Sequence, residues 1–128
     1  GNVVHTGDFK FDQTPSDRRP ADIGALARAG DEGILALVTD STNVDKSGYV
    51  ASERVVAEAL QRAFQEAPGR IILASFASNI SRVEMVAQTA AAQGRKVALA
   101  GRSMLANVEV ARELGYMTVP EDTFIRLE

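Results

Sequence analysis

Short apolar runs alternate along this chain with longer stretches of helical period, and that rhythm restricts its folds more than any other feature. Ile34-Leu35-Ala36-Leu37-Val38 and Ile71-Ile72-Leu73-Ala74 are too short for helices of their own and read as buried strands, and Lys96-Val97-Ala98-Leu99-Ala100 reads as the next short strand. Between and after them, apolar residues recur at helical spacing: Val56, Leu60, Ala63, Phe64 and Ala67; Val83, Val86, Ala87, Ala90 and Ala91; Met104, Val108 and Ala111. A shorter helix over 21–29 turns Ile23, Leu26 and Ala27 inward, with Gly30 as its stop. Strand and helix succeed each other at roughly 30-residue spacing, which is the βαβ unit, so the expected class is α/β with a parallel sheet and right-handed crossovers.

The punctuation agrees. Ser52 and Asn79 stand where N-caps belong, Pro68-Gly69 ends the helix before the central strand, and Gly94 and Gly115 close the later ones. Val3 to Asp12 alternates apolar and polar residues around Gly7, a bend in strand-like sequence. Thr14-Pro15-Ser16-Asp17 and Arg18-Arg19-Pro20 are turn and loop chemistry, as is Val44 to Gly48. Tyr116–Val119 and Phe124–Leu127 read as further short strands.

Composition narrows the chemistry. No apolar run among the 128 residues is long enough to span a membrane, and a cytoplasmic setting is expected. There is no cysteine and one histidine, so disulfides and thiolate metal sites are excluded, and a catalytic zinc, which takes about three protein ligands, cannot be completed from His5 and Asp8 alone. A net charge of −3 gives no bulk attraction to nucleic acid, so a polyanion site must be a local gathering of Arg, Lys and N–H groups. No start methionine or leader opens the chain, and Gly1-Asn2-Val3-Val4 reads as a strand already under way, as in an internal piece.

Ligands of a parallel sheet bind at its carboxyl edge. What leaves that edge is Asp40-Ser41-Thr42-Asn43, then Ser75-Phe76-Ala77-Ser78-Asn79, then Gly101-Arg102-Ser103. A hydroxyl-rich turn into a helix N-terminus aims N–H groups and a positive dipole end at one spot, which suits an anion. Ser75, Ser78 and Asn79 also have the simpler role of capping that helix, and Phe76 is either a base-stacking surface or a core contact. Asp8 and Asp40 are the acidic candidates, as turn carboxylates or as metal ligand and orienter. No G-x-S-x-G, Walker, G-x-G-x-x-G or H-E-x-x-H motif is present, and a self-contained Ser-His-Asp hydrolase lacks a second histidine.

His5-Thr6-Gly7-Asp8-Phe9-Lys10, Thr39-Asp40-Ser41-Thr42-Asn43, Ser75-Phe76-Ala77-Ser78-Asn79, and Gly94-Arg95-Lys96 with Gly101-Arg102-Ser103-Met104 resemble successive signatures of the ribonuclease J family, metallo-β-lactamase nucleases with an inserted β-CASP domain. The resemblance implies that residues 1–51 are the end of the first metallo-β-lactamase segment and 52–128 the front of the β-CASP domain. It implies that Asp8 bridges two zinc ions and that Asp40 contacts a histidine far downstream. Phe76 and Ser78, with Asn79 beside them, would line the pocket for an RNA 5′ nucleotide and its monophosphate. The family's His-x-His-x-Asp-His cluster would precede Gly1, and its late histidines would follow Glu128. With the seam near Ser52, Asp40 and Ser75 would belong to different sheets. The implied function is a zinc-dependent ribonuclease, exonucleolytic from 5′ ends and endonucleolytic, homo-oligomeric at full length, in which a metal-activated hydroxide attacks the phosphodiester. The 128-residue chain alone would be inactive. The alternatives are a non-catalytic α/β module binding a phosphosugar or nucleotide, and a segment retained for assembly.

Overall fold

The computed structural model describes residues 1–15 and 18–127, so Ser16 and Asp17 of the expected turn at Thr14–Asp17 lie outside it. The chain divides into two compact units, Gly1–Arg54 and Val55–Glu128. No helix among the described residues is long and apolar enough to cross a membrane.

In the first unit β1 (Asn2–His5) pairs in parallel with β2 (Ile34–Val38), Val3 opposite Ala36 and His5 opposite Val38. The crossover contains α1 (Ile23–Asp31), started by Asp22, whose Oδ1 accepts from the Ala25 amide at 2.8 Å. The helix runs through Gly30, and the left-handed residue that releases the chain into β2 is Gly33, at φ +83°. Gly30 is therefore not the stop; a glycine costs a helix little near its end, while only a positive φ reverses the chain. Every residue of β2 is exposed, Leu35 to 77%, and so are Ile23 and Leu26. The expected buried strand is thus a strand without cover: within the described residues its sheet has two members, and a parallel sheet buries both faces only when layers flank it.

The second unit holds most of α2 (Glu53–Glu66), then α3 (Ile80–Ala92), β3 (Val97–Ala98), α4 (Arg102–Glu113), a 3-10 turn (Glu121–Thr123) and β4 (Phe124–Ile125). β3 and β4 are parallel, Val97 opposite Phe124, with α4 in the crossover. Tyr116–Val119 is not a strand; the chain reaches β3 only at Phe124, and Met117 goes into the core instead. That core is Val83, Val108 and Met117, flanked by Ile80, Leu99, Met104 and Phe124. Helices α3 and α4 end alike. Gly94 donates to Ala91 O and Arg95 N to Ala90 O, while Gly115 donates to Arg112 O and Tyr116 N to Ala111 O, each glycine left-handed. Glu84 Oε1 ties α3 to Thr118 through its amide (3.1 Å) and hydroxyl (2.7 Å).

The central apolar run departs most from expectation. Residues 70–76 join no ladder, and Ile72 is 91% exposed. Ile71, Ile72 and Leu73 instead line an open cavity of about 1180 Å3 whose lining also includes Val97, Ala98 and Leu99. Branched apolar residues make a segment fit to pair; they do not supply the neighbour.

Candidate functional site

Parallel pairing brings the exits of β1 and β2 to the same end of the first sheet. Thr6 N donates to Val38 O at 3.0 Å, extending the ladder one residue past β1. Thr6 Oγ1 then does two jobs, accepting from Asp40 N at 3.2 Å and donating to Gly7 O at 2.7 Å. The Gly7 amide donates to His5 Nδ1 at 2.9 Å, and Gly7 turns the chain at φ +59°. Asp8 follows on this turn, exposed, and among the described residues no hydrogen bond or ion pair engages its carboxylate. Asp40 is half-buried. Its Oδ1 accepts from the Thr42 hydroxyl (2.7 Å) and the Thr42 amide (2.9 Å), and these bonds, the hydroxyl first, hold its pKa below the usual carboxylate value. Asp8 and Asp40 thus belong to adjacent, bonded turns.

Beyond Asp8 the loop is anchored to the start of α2. Asp12 Oδ2 accepts the Glu53 amide at 2.8 Å and Oδ1 the Thr14 amide at 3.0 Å; these two bonds, the first foremost, lower its pKa. Lys10 Nζ reaches Ala51 O (2.7 Å) and Glu53 Oε1 (3.4 Å). Ser52 caps as expected, its Oγ accepting from Arg54 N at 3.2 Å. Asp12 was not singled out from sequence as a capping residue, although Asp-x-Thr is an Asx-turn signal.

In the second unit Phe76, Ser78 and Asn79 occupy one turn. Asn79 Oδ1 accepts from Arg82 N at 3.0 Å, which is the expected N-cap of α3. Asn79 N bonds Phe76 O and Ile80 N bonds Ser78 O, closing the turn on itself, and Asn107 Nδ2 of α4 holds Ala77 O at 2.9 Å. The side chain of Phe76 is 82% exposed, so it is no core contact, and Ser78 is exposed beside it. The amides of Ile80, Arg82 and Val83 are bonded within the turn, which reduces what the helix start offers an anion. Arg95, at the end of α3, places Nη2 on Ala67 O (2.6 Å) and Phe64 O (3.5 Å) and Nη1 on Gly69 O (2.7 Å), a cation on the C-terminal carbonyls of α2. Neither Asn107 nor Arg95 gave a local signal for these contacts, because their partners lie about 30 residues away.

The donor set bears on zinc. Among the described residues no group of three or more His, Cys, Asp and Glu is placed to hold a metal ion. The donors described here do not by themselves fit a zinc site.

Comparison with known proteins follows the same residues. Residues 68–128 match the family model for the ribonuclease J β-CASP domain. A ribonuclease J from Corynebacterium glutamicum is 50% identical over 128 residues, covering 100% of this chain and 18% of that protein. One from Helicobacter pylori is 47% identical over 125 residues, 98% of this chain and 18% of the relative. Ribonuclease J2 of Bacillus subtilis is 43% identical over 128 residues, 100% of this chain and 23% of its own length. The chain spans about a fifth of the length of these relatives.

Proposed function

This chain belongs to the ribonuclease J family, and from that premise we propose that it is part of a metal-dependent ribonuclease acting on RNA 5′ ends and internal bonds. The observation that carries the reading is the likeness over all 128 residues to proteins named as ribonucleases. Residues 1–51 are assigned to the end of a metallo-β-lactamase segment and 52–128 to the front of a β-CASP domain; the division into two compact units and the family match over 68–128 support this. The intact protein is a cytoplasmic homo-oligomer in this reading.

Asp8 would hold a zinc ion in this reading, together with ligands outside the residues described. Its carboxylate is exposed and, among the described residues, unengaged, which supports that role. Asp40 is assigned as an orienter. As a carboxylate it is an acceptor only, and the Thr42 hydroxyl and amide bonds that lower its pKa favour that ionised form. Phe76, Ser78 and Asn79 are assigned to the 5′-monophosphate nucleotide. The exposed ring offers a face for a base, and the Ser78 hydroxyl a donor for the phosphate, while Asn79 shapes the turn.

In the full-length protein, Asp8→Ala should abolish cleavage while the thermal midpoint stays put; unchanged turnover removes Asp8 from the chemistry. Phe76→Ala should forfeit stacking worth about 1–3 kcal/mol. Ser78→Ala should forfeit a charge-assisted bond worth roughly 1.5–3 kcal/mol, or about 10- to 150-fold in affinity. Both losses should fall on exonucleolytic processing of 5′-monophosphate RNA and spare internal cleavage. Equal loss of the two activities would sink the pocket.

A further inference from the structure

Both polar groups of Gly7 are held by the two residues that precede it. Its N–H goes back to His5 Nδ1 at 2.9 Å, and its C=O takes the Thr6 hydroxyl at 2.7 Å. At φ +59° this glycine is a bend whose direction is set by how the peptides on its two sides are rotated, and Asp8 is attached to the second of them. An acceptor at Nδ1 also settles the neutral ring: the proton sits on Nε2. The Thr6 hydroxyl has a further bond, from the backbone N–H of Asp40. One hydroxyl therefore links the bend before Asp8 to the first residue of the Asp40 turn.

We infer that His5 and Thr6 are positioning residues, which lock the Gly7 bend and so set the direction of Asp8 relative to Asp40. The inference rests on the functional assignment of Asp8 and deepens it. His5 works here through Nδ1, as an acceptor for backbone, and not through a nitrogen presented to substrate or metal. Its two nitrogens can be told apart by substitution, because an Asn amide oxygen stands close to the place of Nδ1 and a Gln amide close to that of Nε2. Thr6 can be dissected likewise: Ser keeps the hydroxyl, and Val keeps the shape without it.

The test is made in the full-length nuclease with His5→Asn, His5→Gln, Thr6→Ser and Thr6→Val. His5→Asn and Thr6→Ser should retain kcat within about threefold. His5→Gln and Thr6→Val, each losing a bond of roughly 1 kcal/mol or somewhat more, should lower kcat about fivefold to tenfold with KM for RNA little changed. Hydrogen exchange in the peptide spanning 5–9 should quicken in His5→Gln and not in His5→Asn. Retention by Gln with loss in Asn would transfer the role to Nε2 and overturn the inference. So would equal behaviour of all four variants, or losses that track the thermal midpoint. The exchange result needs no catalysis, so it stands apart from the assignment of Asp8: inactive-site evidence from Asp8→Ala can fail while the Gly7 lock is seen, and the reverse.

Discussion

At Asp40 one carboxylate oxygen carries two local bonds, from the Thr42 amide and the Thr42 hydroxyl. An Asn side chain offers the same oxygen to the same donors, and the two residues serve turns and caps about equally well. Asp40→Asn should therefore shift the thermal midpoint little while lowering the rate of the RNA cleavage proposed for the full-length protein, since what it removes is charge. A wild-type rate would leave Asp40 as a turn residue only. This local bond pattern is legible in the order Asp-Ser-Thr, whereas the bond from the Asp40 amide to Thr6 is not, because it spans 34 residues. At Phe76 the sequence left two roles open, and exposure removes one of them: a ring 82% in solvent is not packed in a core.

Helix α2 shows the same division between near and far. Its N-terminus is capped by Ser52, as its position just ahead of the apolar stripe predicts, but also by Asp12 from 41 residues upstream. Its last carbonyls are taken by Arg95, 28 residues on from Ala67. Asn79, Gly94 and Gly115 were readable because cap and capped residue are neighbours in the chain. Asp12 and Arg95 were not, and neither was the bare condition of 70–76, where pattern specifies a strand and only tertiary neighbours supply its ladder. The Asp12 cap has a pH signature. Its folded pKa lies below the ordinary 3.8, so the stabilisation is present above that value and is lost as pH falls through the lowered one. Thermal midpoints of wild type and Asp12→Ala should differ at neutral pH and converge in strong acid; a gap independent of pH would mean that packing, not charge, accounts for it. Asn79→Ala, a side-chain cap on α3, should cost about 1 kcal/mol at any pH well above the carboxylate range.

At the scale of the whole chain, the α/β class and parallel pairing were legible from period alone, because strand and helix leave different repeats and a parallel pair needs a crossover. Where burial would fall was not. Pattern records which residues seek cover, and in the first unit Val3, Leu35 and Leu37 stay more than half exposed. Uneven protection should follow. Amides of residues 71–74 should exchange with solvent as fast as those of loops, and amides of Val83–Ala90 in α3 far more slowly. Equal protection of the two would mean that the central run does pair. The register of the first sheet carries one more consequence, in time rather than space. Val3 sits opposite Ala36, so the pairing of β1 with β2 must wait until 33 more residues have been made. At about 5–20 residues per second that is roughly two to seven seconds of synthesis. Through that interval β1 is an apolar segment awaiting its mate, and a ribosome pausing before Ile34 would lengthen the wait and the chance of a wrong encounter.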